Sequence, residues 1–462
     1  MAKFKSEISA LVRLALPVSL AQLALVGMTA TDVLVAGNAG TVDLAGMNLG
    51  ANAWNMIVLF FMGIGFATQP LVAKFFGARD ERAVRHQFQQ SLWLCFLLGI
   101  LATLAVQGGA RLLLLLDFEA QMLRIAYEYM VAISWCALPL AMTPAVRGTL
   151  EGLNQTRSVL WVVLAAFLIN IPLDFIFVKG LYGFPKMGGV GCAWATVIVV
   201  WVMFAAMLMV AQWHKSVTHL HLMKRLQMPD MTTIGSTFRL GLPIGFSIVI
   251  ELSMFCGAGI MIAAFGTVSA SAHAVAITVA SMSFMLYMGL GQGVTIRASQ
   301  FLGARQPDAA WYTVKAGTAF NLLVAAAMCL YFIFAADILV GLFSDDPEVL
   351  ALAVTLLYFG AAFQLADCLQ VAMMCGLRAY HDTASPPRYQ LFAFWVLGLP
   401  IGVGLAFYGW WPGLEGAKGL WFGMLLSLTI VGLLLLRRLL NMVAASKTVA
   451  QPQSGIECNT GL

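Results

Sequence analysis

Four carboxylates, Asp32, Asp174, Glu251 and Asp367, interrupt long apolar runs of this chain. An acid at the centre of a bilayer costs about 2.5–3.5 kcal/mol on insertion scales, so acids kept there mark cation sites, proton relays or counter-charges for a substrate. Asn170 and Asp174 are four residues apart and project from one helix face. Pro172 lies between them and frees a backbone carbonyl in that helix. With Asp32 they form a candidate oxygen cluster that can share a proton or coordinate a hard monovalent cation, as oxygen ligands hold other hard cations. Glu251 stands eight residues beyond Pro243, and Asp367 closes the string FQLAD, Phe363 to Asp367. No Lys or Arg lies in the middle of an apolar run to neutralise these acids, so Glu251 and Asp367 are a candidate pair for a metal ion, Na+, or for a proton. The plainer readings place Asp174 near the outer end of its span, within reach of Lys179 or water, and make the other acids protonated groups bonded to neighbouring helices.

Three further residues are candidates for lining a substrate cavity. His273 opens an apolar run near the outer surface, and Asp345 and Asp346, with Glu348, form an acidic loop that could attract entering cations. A surface histidine and a solvated loop explain them equally well.

The elements that must hold these side chains are membrane helices. The chain has 462 residues, 61% hydrophobic and 10% charged, against about 25% charged in soluble domains. Lipid is therefore the solvent for most of it. Twelve spans are expected, near 12–36, 48–73, 91–116, 126–146, 160–178, 191–212, 240–263, 275–296, 316–336, 350–376, 390–408 and 419–436. None shows the alternation of a membrane barrel, so the fold class is an all-α polytopic membrane protein. Met1 to Arg13 leads straight into the first span, and no removable signal peptide is expected. Of the 26 Lys and Arg, 21 fall on the side of the termini and the even-numbered loops. By the positive-inside rule both termini are cytoplasmic. The net charge of +5 is then an insertion signal and implies no nucleic-acid partner.

The chain repeats itself. A shift of 226 residues lays Leu14–Pro17 on Leu240–Pro243, Gly40 on Gly266, Met62–Gly65 on Met288–Gly291, and Phe75–Arg79 on Phe301–Arg305. Near the end of each half the shift is 228, laying Ile171–Pro172 on Leu399–Pro400. This predicts two pseudo-symmetric six-helix lobes inserted the same way up. The N-lobe is expected over 1–212, a cytoplasmic linker over 213–239, the C-lobe over 240–440 and a disordered cytoplasmic tail over 441–462. The linker holds His214, His219 and His221, which a solvated loop explains better than a metal site does. The acids do not repeat: Asp32 falls on Ala258 and Glu251 on Leu25. The lobes share packing and differ in chemistry.

Seven of the eight cysteines lie within spans and none forms a CxxC pair, so neither zinc nor redox chemistry is suggested. There is no HExxH, no GxSxG and no Walker A sequence. GLGQG, Gly289 to Gly293, reads as glycine that packs helices. No enzyme and no cofactor are expected.

At this point the chain resembles the multidrug and toxic compound extrusion (MATE) transporters, in their NorM-like bacterial branch. The resemblance runs from about Leu11 to Arg438. It is carried by LALPVSLAQ at Leu14 to Gln22, TDVLVAG around Asp32, NIPLDFIFVKG at Asn170 to Gly180 and GGVGC at Gly188 to Cys192. ELSMF at Glu251, FQLAD at Asp367, LRAY at Leu377 to Tyr380 and VLGLP at Val396 to Pro400 complete it. The resemblance implies a MATE/MOP-type fold and a secondary antiporter, acting as a monomer in the bacterial inner membrane. It would export small organic, often cationic, compounds against inward Na+ or H+. It implies Asp32 as the N-lobe coupling acid, and Glu251 and Asp367 as the C-lobe cation acids. Asn170 matches the family's fifth-span asparagine, whereas Asp174 stands where NorM-like chains often carry a second asparagine. Ala274 also departs, since a glutamine is usual after the residue at 273. A dedicated exporter of one biosynthetic product would look the same. A lipid-linked oligosaccharide flippase of the same superfamily fits less well, because no base lies in mid-span.

Overall fold

The structure, a computed structural model, describes residues 2–37, 40–115, 119–224, 226–343 and 346–450. Among the described residues, twelve helical stretches are long and apolar enough to cross a membrane, and there is no strand. The N-lobe comprises α1 (Ala2–Gly37), α2 (Thr41–Gly65), α3 (Thr68–Gly77), α4 (Glu81–Leu113), α5 (Ala120–Ile133), α6 (Ala137–Gly152), α7 (Thr156–Lys179) and α8 (Gly189–Trp213). The C-lobe comprises α9 (Met231–Ala263), α10 (Thr267–Gly303), α11 (Pro307–Gly341), α12 (Pro347–Ala379), α13 (Ser385–Gln390), α14 (Leu399–Tyr408) and α15 (Ala417–Ala450). The second span is α2 and α3 together, and the fourth is α5 and α6 joined by a 3-10 turn at Ser134–Cys136.

Two boundaries differ from expectation. The helix α9 starts at Met231, inside the span assigned to the linker, because Asp230 caps it by accepting from the Thr232 and Thr233 amides. What remains of the linker is pinned rather than freely solvated. Gln89, Gln90 and Trp93 of α4 donate to the carbonyls of Leu222, Met228 and Gln227, and Arg85 to that of Leu220. At the other end α15 runs on to Ala450, so residues 441–450 continue a helix where a disordered tail was expected. Residues 451–462, with Cys458, lie outside the described residues.

The eleventh span is irregular. A π-helical segment, Leu391–Gly398, joins α13 to α14. Pro400 follows it and supplies no backbone donor, so the regular ladder cannot run through. Gly398 there lies against Ser427 and the Gly423 carbonyl of α15, where a Cβ has no room.

The lobes press together near the end that carries the N-terminus. Gly77 of α3 lies on the Gln300 carbonyl, and Gly303 of α10 lies on the Lys74 carbonyl. These two approaches are images of each other under the 226-residue shift. The same operation relates Gly63 on Gly245 to Gly289 on Ser19, whose hydroxyl donates to the Leu286 carbonyl at 3.4 Å. Gln300 completes the seam by donating to Gly152 O at 3.0 Å and Asn154 Oδ1 at 2.9 Å.

Candidate functional site

In the N-lobe, α1, α7 and α8 bring one acid cluster together. Asn170 and Asp174 stack on one face of α7, both fully buried, with Asn170 Nδ2 3.5 Å from Asp174 Oδ1. The Asp32 side chain on α1 lies beside both. Thr196 of α8 donates to Asp32 Oδ2 at 3.2 Å, and the Cys192 thiol points at the Asp32 carbonyl at 3.5 Å. Tyr129 of α5 packs within the field of both acids. Three buried oxygens here, Asp32 Oδ1, Asn170 Oδ1 and Asp174 Oδ2, have no hydrogen-bond partner. Buried acceptors without donors are costly, and a proton or a cation is one species that could satisfy them. The alternative for Asp174 is not what forms: the residue is fully buried, and Lys179 lies over the Phe175 ring at 5.0 Å.

In the C-lobe, Glu251 on α9 and Asp367 on α12 act on one another electrostatically. Asp367 is buried and Glu251 half-buried. Gln390 Nε2 donates to Glu251 Oε2 at 3.0 Å. Gln370 lies beside Glu251 with both amide atoms buried and without a well-formed bond. The base that acts on Glu251 is Arg378, from the last turn of α12 and not from mid-span. The two carboxylates are oxygen ligands of the kind that hold hard cations, while the Gln390 amide oxygen is taken by the Ser247 hydroxyl. Among the described residues no three His, Cys, Asp or Glu side chains converge into a denser metal site.

The substrate-cavity candidates fare differently. His273 is not at a surface. The helix α10 begins at Thr267, which places His273 inside the C-lobe, 9% exposed, accepting from Trp421 Nε1 at 3.2 Å. Asp346 caps α12 by accepting from the Glu348 amide at 3.0 Å. Asp345 lies outside the described residues.

Thr196, Tyr129 and Gln390 escaped the sequence reading. A lone hydroxyl or amide in an apolar run has no periodic signal, and only tertiary packing brings it to an acid. Thr196 had one local pointer, standing four residues after Cys192 in GGVGC and so on its face.

Comparison with known proteins is consistent along the chain. The MatE family profile matches residues 17–176 and 243–403, once in each lobe. The chain is 33% identical over 442 residues to a probable multidrug resistance protein NorM of Chromobacterium violaceum, covering 94% of each. It is 32% identical to multidrug resistance protein PmpM of Pseudomonas aeruginosa, over 95% of this chain and 92% of that one. In fold it is similar to the crystal structure of the eukaryotic MATE transporter AtDTX14, with TM-score 0.85 at 17% identity, over 97% of this chain and 100% of that one. A MOP superfamily transporter from Pyrococcus furiosus gives TM-score 0.86 at 17% identity, over 95% and 96%. The chain belongs to the MatE family, as a NorM-like transporter and not an enzyme.

Proposed function

We propose that the protein is a secondary antiporter that exports small organic, often cationic, compounds in exchange for inward Na+ or H+. The observation that carries the reading is the buried Asp32–Asn170–Asp174 cluster with its three unpartnered oxygens. Such a cluster gains from taking up a proton or cation, and uptake changes which bonds α1 can make to α7 and α8. Glu251 and Asp367 supply a second cation site in the other lobe. The multidrug names of the relatives support organic substrates.

The cycle is alternating access between the lobes. Tight contact near the N-terminal end supports the conformation described as the outward-open one. The basic bias of that end supports a cytoplasmic side for both termini, the bacterial relatives support the inner membrane, and the protein acts there as a monomer. Cation binding shifts the population between outward-open and inward-open states, to the extent that it binds them unequally.

The test is efflux of an ethidium-like dye from liposomes under an imposed Na+ gradient or pH gradient. Efflux that persists when both gradients are collapsed would sink the coupling claim.

A further inference from the structure

The loop after α12 repeats the loop after α6. A shift of 227 residues lays Leu150–Thr156 on Leu377–Thr383, and so Asn154 on His381. Both residues adopt the left-handed backbone, φ 63° and 61°. Both amides donate at 3.0 Å to the carbonyl three residues before, that of Glu151 or Arg378. Across the lobes Asn154 accepts from Gln300 of α10 at 2.9 Å. Gln300 is in turn the image of Lys74 of α3 under the 226-residue shift. The second copy of this contact therefore sets Lys74 against His381, and the Lys74 charge does act on that ring from the other lobe. Where one copy has two amides, the other has a cation and a titratable ring.

Both ring nitrogens of His381 are buried without a hydrogen-bond partner. Asp382, next in the chain, is taken by Arg438 of α15 at 2.6 Å and by the Ser385 hydroxyl at 2.9 Å. Asp308 of α11 acts on Tyr380, one residue before. Arg239 of α9 lines a cavity of about 570 Å³ with His381, Thr232 and Ser236, which brings water to the loop. A neutral imidazole can accept from an ammonium, but an imidazolium has two donors and no acceptor. Charging the ring beside Lys74 sets like charges together in a buried contact, whereas water screens both once the lobes part. We propose that His381 is a proton-sensitive latch on this end of the transporter: neutral, it lets the lobes close over Lys74, and protonated, it parts them. Burial, and then the Lys74 charge, push the closed-state ring down to about 4. An open, solvated ring returns toward about 6.5. The closed seam is thus fully favoured above about 6.5 and is lost as pH falls from there through about 4. The inference rests on the alternating-access reading.

The test places spin labels at Ala78→Cys and Ala304→Cys in a background without the native cysteines. These positions are exposed, are related by the 226-residue shift and flank the Gly77 and Gly303 contacts. Distances between the labels are recorded in liposomes from about pH 7.5 to about pH 4.5. His381→Asn gives position 381 the residue of its image, suits the left-handed backbone and cannot charge. Between about pH 7.5 and 5.5 the ratio of long to short distances should rise about tenfold more in the parent than in His381→Asn. Any response left in His381→Asn belongs to the acids within the spans. Lys74→Gln should show a smaller rise than the parent. Equal pH profiles with and without His381→Asn would overturn this inference alone, and an undiminished rise in Lys74→Gln would overturn the pairing on which it stands. A single short distance at every pH, with and without dye and cation gradients, would overturn alternating access and the inference with it. Should His381→Asn not fold, His381→Gln decides by the same comparison.

Discussion

Glu7 of α1 and Arg297 of α10 meet across the two lobes as a two-pronged ion pair, Nε to Oε1 at 2.6 Å and Nη2 to Oε2 at 2.8 Å. Thr313 of α11 donates to the same Oε1 at 2.6 Å. A bidentate pair fixes orientation as well as charge, and this one joins the first helix of one lobe to two helices of the other. It sits at the end where the lobes touch. It is therefore a clasp on the conformation described here.

Glu7→Gln removes the charge and keeps the shape. We expect it to favour opening of this end by about tenfold, equivalent to ~1.4 kcal/mol. The measurement is the labelling rate of a cysteine introduced as Asn154→Cys, beside Gln300 in the seam, in a background without the native cysteines. Equal labelling with and without Glu7→Gln would show that the clasp holds nothing.

Gly303 offers a steric version of the same question. A Cβ there meets the backbone carbonyl of Lys74, which cannot rotate away. Overpacking of this kind costs about 1–3 kcal/mol. Gly303→Ala should wedge the lobes apart and slow efflux by about tenfold with the fold intact, and Gly77→Ala should do the same at the symmetry-related contact. Normal efflux in both variants would mean that the lobes need not close this tightly.

Asp230 gives a pH-dependence outside the membrane. Hydrogen bonds from the Thr233 hydroxyl and the Thr232 amide hold its carboxyl down to about 2. Its folded value is depressed, so its contribution is fully present above the unfolded value of about 3.9. That contribution is lost as pH falls from there through about 2. Amide exchange at Thr232 and Thr233 should stay slow down to about pH 4 and quicken below it. Exchange that quickens already near neutrality would place control of the cap elsewhere, for instance in His86, whose Nε2 lies 3.4 Å from Asp230 Oδ2.

Much of this architecture was legible because packing repeats what it needs. Gly77 and Gly303 recur because each must admit the other lobe's backbone, and the 226-residue shift relates them. The pairing of Asn170 with Asp174 was legible too, since helix geometry alone puts residues four apart on one face. His273 was misplaced because hydropathy sets the edge of a span where small polar residues begin. Thr267, Ser269 and Ser271 are small and polar, yet helical. Thr196 and Gln390 were invisible for a different reason. What they touch is decided by how α8 lies on α1 and how α13 lies on α9, which no local pattern encodes.

The C-lobe acids make a paired prediction. Glu251→Gln and Asp367→Asn keep polarity and volume but remove the charge that a cation needs. Each should weaken coupling-cation binding by about tenfold or more while expression stays near wild type. The readout is efflux at limiting and at saturating gradients, with loss expected mainly at the limiting one. Normal transport by both variants under both conditions would make these acids structural.

Asp32 and Asp174 bear on the identity of the coupling ion. The two carboxylates contact one another inside a cluster whose three free oxygens lack donors. One shared proton removes the repulsion between the acids and supplies a donor at once. Sodium would remove the charge but would need more oxygen ligands, and of the oxygens nearby that of Thr196 is already turned to Asp32 as a donor. We therefore expect the cluster to take a proton. Asp32→Asn loses the group that α1 presents to α7 and α8, so efflux should fall to background under either gradient. Asp174→Asn restores the amide usual in NorM-like chains and leaves Asp32 able to act alone. Efflux should then drop by about tenfold under a pH gradient and respond more to Na+ than in wild type. Both variants are to be assayed under a pH gradient alone and then under a Na+ gradient alone. Wild-type rates in Asp32→Asn would remove that residue from coupling. An Asp174→Asn variant with unchanged ion preference would remove the argument for a proton, since the second carboxylate is what distinguishes this cluster from one that sodium could fill.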